Sequence, residues 1–168
     1  MFKRISYLLC ALVLLSGCVT VNIPNYIKDE HSYKKKFDAD YDAVLKATTD
    51  MLASFRWNIE GEAQPSVFET VKDIEDADNR QTLLFSNVRQ TGFFIGSKYS
   101  RVNVFLRGYK KEFTDMEIRF VAITSILFKR FTGYRQDALA KRMFDQIQKN
   151  LNAISISPEP DGQIPSTE

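Results

Sequence analysis

The stretch TDMEIRFVAIT, Thr114 to Thr124, decides the fold. Every second residue belongs to one apolar set, which is Met116, Ile118, Phe120 and Ala122. The residues between them are Asp115, Glu117, Arg119 and Val121. Because successive side chains of a strand point to opposite faces, this alternation predicts a strand that packs one face on a core.

Further strands are predicted on the N-terminal side of this one. The stretch YSRVNVFLRGY, 99–109, places Val102, Val104 and Leu106 on one face. Residues 108–111, GYKK, predict the hairpin turn between these two strands. Shorter strands are predicted at 56–63 (RWNIEGEA), 66–71 (SVFETV) and 81–89 (QTLLFSNVR), with an acidic turn at 72–80.

Two segments of helical periodicity enclose the strands. The first begins near Asp38 or Asp40, since an aspartate suits the N-cap. Its apolar positions are Tyr41, Val44, Leu45, Thr48, Leu52 and Phe55. The second covers 135–152, with Ala140, Met143, Phe144, Ile147 and Leu151 on one side. The order α-β-β-β-β-α, with four or five antiparallel strands, predicts an α+β fold, a two-layer sandwich of sheet and helices.

The N-terminus has the pattern of an export signal. Lys3 and Arg4 precede an apolar run at 5–15, which is too short for the roughly twenty residues of a membrane-spanning helix. The run ends in Leu15-Ser16-Gly17-Cys18, which resembles the lipobox of bacterial lipoproteins. The resemblance implies cleavage before Cys18 and acylation, including palmitate, of that residue. Because Val19 follows rather than Asp, it also implies the periplasmic face of the outer membrane. The alternative is a conventional cleavage site beside an unrelated cysteine.

These features divide the chain into four parts. We expect a lipoprotein signal peptide at 1–17, a lipidated tether at 18–36, an α+β domain at 37–152 and a disordered tail at 153–168. The tether and the tail are rich in charged residues or proline and lack apolar periodicity. The triple lysine at 34–36 either contacts the membrane surface or belongs to a solvated spacer.

The charges are unevenly distributed along the sequence. Residues 60–78 contain seven acidic residues and one lysine, whereas 98–149 contain twelve basic and five acidic residues. Such separation either orients a domain toward anionic lipid or an acidic partner, or forms two ordinary solvated faces. Nucleic acid is not an expected partner, because the basic residues form no dense run with stacking aromatic residues.

The sequence carries no signature of an enzyme. His31 is the only histidine and lies in the predicted tether, and neither cysteine would remain as a free thiol in the mature chain. A nucleophile–base pair and a Cys/His metal site are therefore not expected. The acidic residues of 73–78 lack the glycine and distal glutamate of a calcium loop. Glu60 and Glu62 share a predicted strand face, but no cleft accompanies them. We expect no enzymatic activity, no cofactor and no metal.

The order of elements carries a second resemblance. The stretches FDADYDAVLKATTDML, 37–52, and DALAKRMFDQIQKNL, 137–151, enclose the strands. This arrangement resembles the helix-grip domains of small envelope lipoproteins, such as the C lipoprotein subunit of the outer-membrane β-barrel assembly machine. The resemblance implies an accessory subunit of an envelope assembly or transport machine. That family usually has two such domains, and this chain has length for one.

Two aromatic segments are candidate partner-binding surfaces. They are TGFFIGSKYS, 91–100, where two glycines favour a loop, and SILFKRFTGYR, 125–135. The candidate residues are Phe93, Phe94, Ile95, Lys98, Tyr99, Phe131 and Tyr134. Exposed aromatic groups beside cations are typical of interfaces. The alternatives are that 91–100 continues a core strand and that 125–135 is a packed connection to the last helix.

We therefore expect a membrane-anchored periplasmic protein that is held through Cys18 and binds an envelope protein partner. The alternative is a carrier or sensor of a lipid or a small apolar ligand. That alternative requires an open apolar pocket between the sheet and the helices.

Overall fold

The computed structural model describes residues 21–28, 31–69, 80–93, 96–109, 113–126 and 129–156. Several predictions lie outside these ranges. They concern the signal peptide, the lipidation site Cys18, the aromatic pair Phe94–Ile95, the acidic residues 73–78 and the tail from 157 onward.

The described residues form seven strands and two helices in one α+β unit. The strands are β1 (Tyr33–Phe37), β2 (Ile59–Ala63), β3 (Gln81–Ser86), β4 (Arg89–Phe93), β5 (Gly96–Tyr109), β6 (Phe113–Ile126) and β7 (Lys129–Gly133). The helices are α1 (Tyr41–Ser54) and α2 (Asp137–Ile156), and a 3₁₀ turn spans Pro65–Val67. All strand pairs are antiparallel, so the predicted α+β class is confirmed.

The number and order of the strands differ from the prediction of four or five strands in the order α-β-β-β-β-α. Strand β1 precedes the first helix and lies, apart from Phe37, within the predicted tether, while β4 and β7 are additional strands. The segment 66–71, predicted as a strand, begins in the 3₁₀ turn. Helix α2 continues to Ile156, beyond the predicted boundary at 152. The extra strands are short edge strands whose hydrogen bonds to β5 and β6 hold them, so apolar alternation does not reveal them.

The long hairpin of β5 and β6 is the axis of the sheet. The main strand order is β1-β6-β5-β3-β2, and β4 and β7 pair with β5 and β6 farther along the hairpin. At one end Tyr109 is opposite Phe113, and at the other Gly96 is opposite Ile126. The hairpin therefore has a base, paired with β1 and β3, and an extension, which we define as residues 89–93, 96–100, 122–126 and 129–133.

Both helices pack on one face of the base, which we call the helix face. Val104 of β5 and Ile118 of β6 are opposite each other there and fully buried, together with Val44, Met143 and Ile147 of the helices. As predicted, Asp40 caps α1, and its carboxylate accepts a hydrogen bond of 2.8 Å from the backbone N–H of Ala43. Burial of this apolar set against the sheet is the main stabilising contribution of the core.

Residues 21–28 lie across the opposite face of the sheet, and we call them the strap. Ile23 and Ile27 are buried with Val121 of β6, and Val21 packs against the same cluster. The strap and β1 replace most of the tether that the sequence predicted at 18–36. The physical reason is that polar side chains of β5 and β6 supply hydrogen bonds to the strap backbone, and these partners are distant from the N-terminal segment in the sequence.

Candidate functional site

The polar residues beneath the strap form a hydrogen-bonded cluster. Asn103 of β5 is fully buried. Its Oδ1 accepts a hydrogen bond of 2.8 Å from the backbone N–H of Ile27, and its Nδ2 donates to the carbonyl of Asn25 over 3.1 Å. The amide side chain thus satisfies a donor and an acceptor of the strap backbone at once.

Arg119 of β6 carries the largest charge network in this cluster. Its Nε donates to Glu117 on the same strand, and its Nη1 donates to Glu69 and to the carbonyl of Ile27, the last over 3.2 Å. Burial lowers the pKa of the Arg119 guanidinium, but the bonds to Glu69 and Glu117 more than offset this and hold its pKa above the ordinary value. Arg119 therefore stays charged at any physiological pH.

Tyr26 connects the strap to the same network. Its hydroxyl donates to the Glu69 carboxylate, and its ring stacks on Phe68 with centroids 5.0 Å apart. Burial and then the bond to Glu69 raise the pKa of Tyr26 to about 12. The tyrosine is a neutral structural donor and not a base at neutral pH.

Arg101 occupies the neighbouring position on this face. Its Nη2 lies 2.8 Å from Oε2 of Glu60, and its Nη1 donates to the carbonyl of Pro24 over 3.3 Å. Glu62 instead lies opposite Leu84 and accepts a hydrogen bond from Thr82. A bulge between Ile59 and Gly61 shifts the register of β2, so the expectation that Glu60 and Glu62 share a face is wrong.

The hydrogen bonds of this cluster attach the strap to the sheet. The carboxylates of Glu60, Glu69 and Glu117 are each paired with an arginine. His31 is exposed, with its ring 6.3 Å from that of Tyr134. Within the described ranges, no group of three histidine, cysteine or acidic side chains is placed to hold a metal ion.

The extension brings part of the predicted partner-binding set together. Lys98, Thr124 and Phe131 form one cross-strand row on the helix face. The helices cover the base of this face, and Phe131 remains 56% exposed. Tyr99, by contrast, points to the opposite face and packs against the strap cluster. Adjacent positions of one strand cannot serve the same surface, so Lys98 and Tyr99 do not form one site.

The two aromatic segments are mainly strands. Residues 91–93 and 96–100 belong to β4 and β5, which pair with each other, so the predicted loop is wrong for these residues. Segment 125–135 contains β7, all five residues of which are exposed, followed by Tyr134 at 41% exposure. The interpretation of 125–135 as a packed connection is therefore wrong, and its exposed aromatic residues remain candidates.

The charged residues of the extension are all basic. It contains Arg89, Lys98, Lys129 and Arg130, and the sequence has no acidic residue at 79–111 or at 118–136. Arg89 is engaged, since its Nη1 donates to the carbonyl of Phe55 over 3.0 Å. The other three cations remain on the free half of the hairpin and give it a positive potential.

Charged side chains contribute to the lining of two clefts in the described part of the chain. One of about 280 Å³ lies beside β1 and is lined by Lys34, Lys36, Arg107, Asp115 and Glu117, among others. Another of about 380 Å³ lies between the start of α1 and the end of α2, near Asp38 and Asn152. The interface between sheet and helices is filled by the buried core. This packing counts against the apolar-ligand carrier.

The sequence prediction missed the strap and its anchoring residues, Arg101, Asn103 and Arg119. Polar residues that alternate with apolar ones on a strand usually face solvent, so the sequence pattern does not indicate that another segment covers them. A signal was present in VNIPNYI, 21–27, where Val21, Ile23 and Ile27 recur among polar residues.

In comparisons with known proteins, no family model and no curated protein matches this chain. Neither described helix is long and apolar enough to cross a bilayer. The proposed function is therefore argued from the sequence and the structure of this chain alone.

Proposed function

We propose that this chain is a lipid-anchored, non-enzymatic protein of the bacterial cell envelope that binds a protein partner through its extension. The lipobox-like Leu15-Ser16-Gly17-Cys18 supplies the anchor and implies the periplasmic face of the outer membrane. More than one acyl chain on Cys18 gives stable membrane attachment. The protein then acts as an accessory subunit of an envelope assembly or transport machine.

The observation that carries the proposal is the exposed β7 strand. Phe131 and Tyr134 are large exposed aromatic side chains, and both helices lie over the base instead. Among the described strands, β7 pairs with β6 alone, so its other edge offers backbone N–H and C=O groups. An open strand edge beside an aromatic anchor is a recurring way of binding an extended peptide segment.

The anchor is tested separately from the partner. Cys18→Ser should move the protein from the membrane to the soluble fraction of the envelope, because the acyl chains are its hydrophobic attachment. Retention of the variant in membranes at the wild-type level would refute the lipid anchor.

The partner is tested by purifying the native lipidated protein in mild detergent and identifying proteins in stoichiometric amounts. We expect one to be lost from Phe131→Ser/Tyr134→Ser. The matched control is Val67→Ser/Val88→Ser, which removes two exposed apolar side chains away from β7. A partner retained by both variants, or no stoichiometric partner for the wild type, would contradict the proposal.

A further inference from the structure

We infer that the free end of the extension lies on an anionic phospholipid surface. We call this the basic end and define it by Gly96, Lys98, Ile126, Lys129 and Arg130. The inference is based on the lipid anchor of the proposed function and goes beyond it, because it specifies which part of the fold faces the bilayer.

The strap leads from the sheet toward this end. Ile27 contacts Asn103, whereas Pro24, three residues earlier, contacts Arg101, which is closer to Gly96 on β5. Val21 packs against the cluster that includes Tyr99 and Ile123. Moving toward the N-terminus, the strap therefore runs along the strand direction from the base to the extension.

The length of chain before Val21 places the anchor near the same end. Cys18 precedes Val21 by three residues, which reach at most about 10 Å. Ile123 is three residues from Ile126 along β6, which is also about 10 Å. A lipid on Cys18 is thus held within a short distance of the basic end, and the packed strap leaves no long tether to let the domain turn away.

The charges at the two ends of the sheet support this orientation. Lys98 and Lys129 lie on the helix face and Arg130 on the opposite face, all within two cross-strand rows of Gly96–Ile126. Cations on both faces suit an end-on contact with anionic headgroups. At the other end, Asp38 and Asp40 are exposed around the start of α1, and the carboxylate of Asp42 is paired with Arg80, so that end carries charges of both signs.

The triple lysine at 34–36 is excluded from this contact by its register. Lys34 is opposite Glu117, nine residues and about 30 Å along β6 from Ile126. A membrane contact of these three lysines would therefore require the domain to face the bilayer with its other end, opposite to the orientation that the anchor imposes.

The test measures the depth of two labelled positions in vesicles. With Cys10 removed and Cys18 acylated, an engineered cysteine is the only thiol of the lipidated protein. Thr132→Cys labels the extension, and Asp38→Cys labels the opposite end, both at exposed positions. Each protein carries a fluorophore and is reconstituted into phosphatidylethanolamine vesicles with or without phosphatidylglycerol, and brominated lipid serves as the quencher.

We expect several-fold stronger quenching at residue 132 than at residue 38 in anionic vesicles. The triple variant Lys98→Glu/Lys129→Glu/Arg130→Glu should abolish this difference. The matched control is Lys46→Glu/Lys141→Glu/Lys149→Glu, which changes the net charge equally on exposed helix positions and should preserve it. Raising the salt concentration to 1 M should weaken the difference without any substitution, because it shortens the Debye length to about 3 Å.

Each other result overturns the inference. Equal quenching at both positions means that the anchored domain has no fixed orientation. If both triple variants reduce the quenching difference equally, the orientation depends on net charge alone and not on the position of the cations. If the protein is anchored but the fluorophore at residue 132 is not quenched, the basic end does not contact the bilayer. Its cations would then be available to an acidic protein. If the protein does not float with the vesicles at all, the lipid anchor of the proposed function is refuted. This result is distinguishable from an anchored protein whose basic end does not contact the bilayer.

Discussion

Asn103 and Ile27 are joined by a buried hydrogen bond of 2.8 Å, from the backbone N–H of Ile27 to Oδ1 of Asn103. The two residues are 76 positions apart in the sequence. The bond fixes an N-terminal segment on the central strand of the sheet, and with it the direction in which the chain leaves the domain. The attachment of the strap is thus a structural property on which the proposed membrane orientation depends.

Replacement of Asn103 should release the strap. In Asn103→Leu, the N–H of Ile27 and the carbonyl of Asn25 lose their partner. Each unsatisfied buried group costs about 1–3 kcal/mol, so we expect the free energy of unfolding in urea to fall by about 2–4 kcal/mol. Amide exchange at Ile27 should accelerate. Asn152→Leu, at an exposed position of α2, is the control, and equal losses in both variants would argue against this role.

Removal of Arg119 alone should lower the free energy of unfolding more than removal of Arg119 together with both of its carboxylate partners. Arg119→Met leaves Glu69 and Glu117 without their shared cation, and we expect a loss of about 3–5 kcal/mol in denaturant unfolding. The variant Arg119→Met/Glu69→Gln/Glu117→Gln should recover most of it, since no uncompensated charge remains. Arg119→Lys should recover little, because a lysine cannot reproduce the forked hydrogen bonds. A triple variant no better than Arg119→Met would contradict this account.

Stability at alkaline pH should depend on Tyr26. The pKa of its hydroxyl is raised to about 12 in the folded protein, whereas an unfolded tyrosine titrates near 10. Between these values the unfolded chain has already lost the proton, so stability falls as the pH rises from about 10 to about 12. Tyr26→Phe should flatten this part of the profile while lowering stability at pH 7, because the bond to Glu69 is lost. Urea midpoints across pH 8–12 provide the measurement.

The control for this profile is Asn152→Leu, which changes no titratable group and lies at an exposed position of α2. Its profile should remain parallel to that of the wild type. If Tyr26→Phe also stays parallel, the buried hydroxyl does not contribute to the alkaline loss of stability.

Substitution by alanine should lower stability at Gly108 and leave it almost unchanged at Gly133. A Cβ at Gly108 would lie 3.1 Å from the Cβ and 3.3 Å from the Cδ2 of Tyr41. This contact is tight, so Gly108→Ala should lower the unfolding free energy by about 1–3 kcal/mol through overpacking. A Cβ at Gly133 meets no atom within 4 Å, and Gly133→Ala should change stability by less than about 0.5 kcal/mol. Equal effects at both positions would show that backbone preference, and not the Tyr41 contact, determines the outcome.

The candidate surface was only partly predictable from the sequence. Phe131 and Tyr134 were identified by their aromatic–basic pattern and are exposed. Tyr99 was grouped with Lys98 because the two are adjacent, but the pleat of β5 directs them to opposite faces. Arg101, Asn103 and Arg119 were not identified, because a polar residue on a strand has the same local pattern whether water or another segment covers it.

The sequence by itself determined the β5–β6 hairpin and the two helices. Their periodicities of two and 3.6 residues follow from which side chains must be buried, and that information is local. Only the tertiary structure decided the strap, the edge strands β1, β4 and β7, and the extension that the helices leave uncovered. These segments are short and largely polar, and what stabilises them is pairing with residues distant in the chain. The partners of such hydrogen bonds lie close only in the folded sheet, so the local sequence pattern does not contain them.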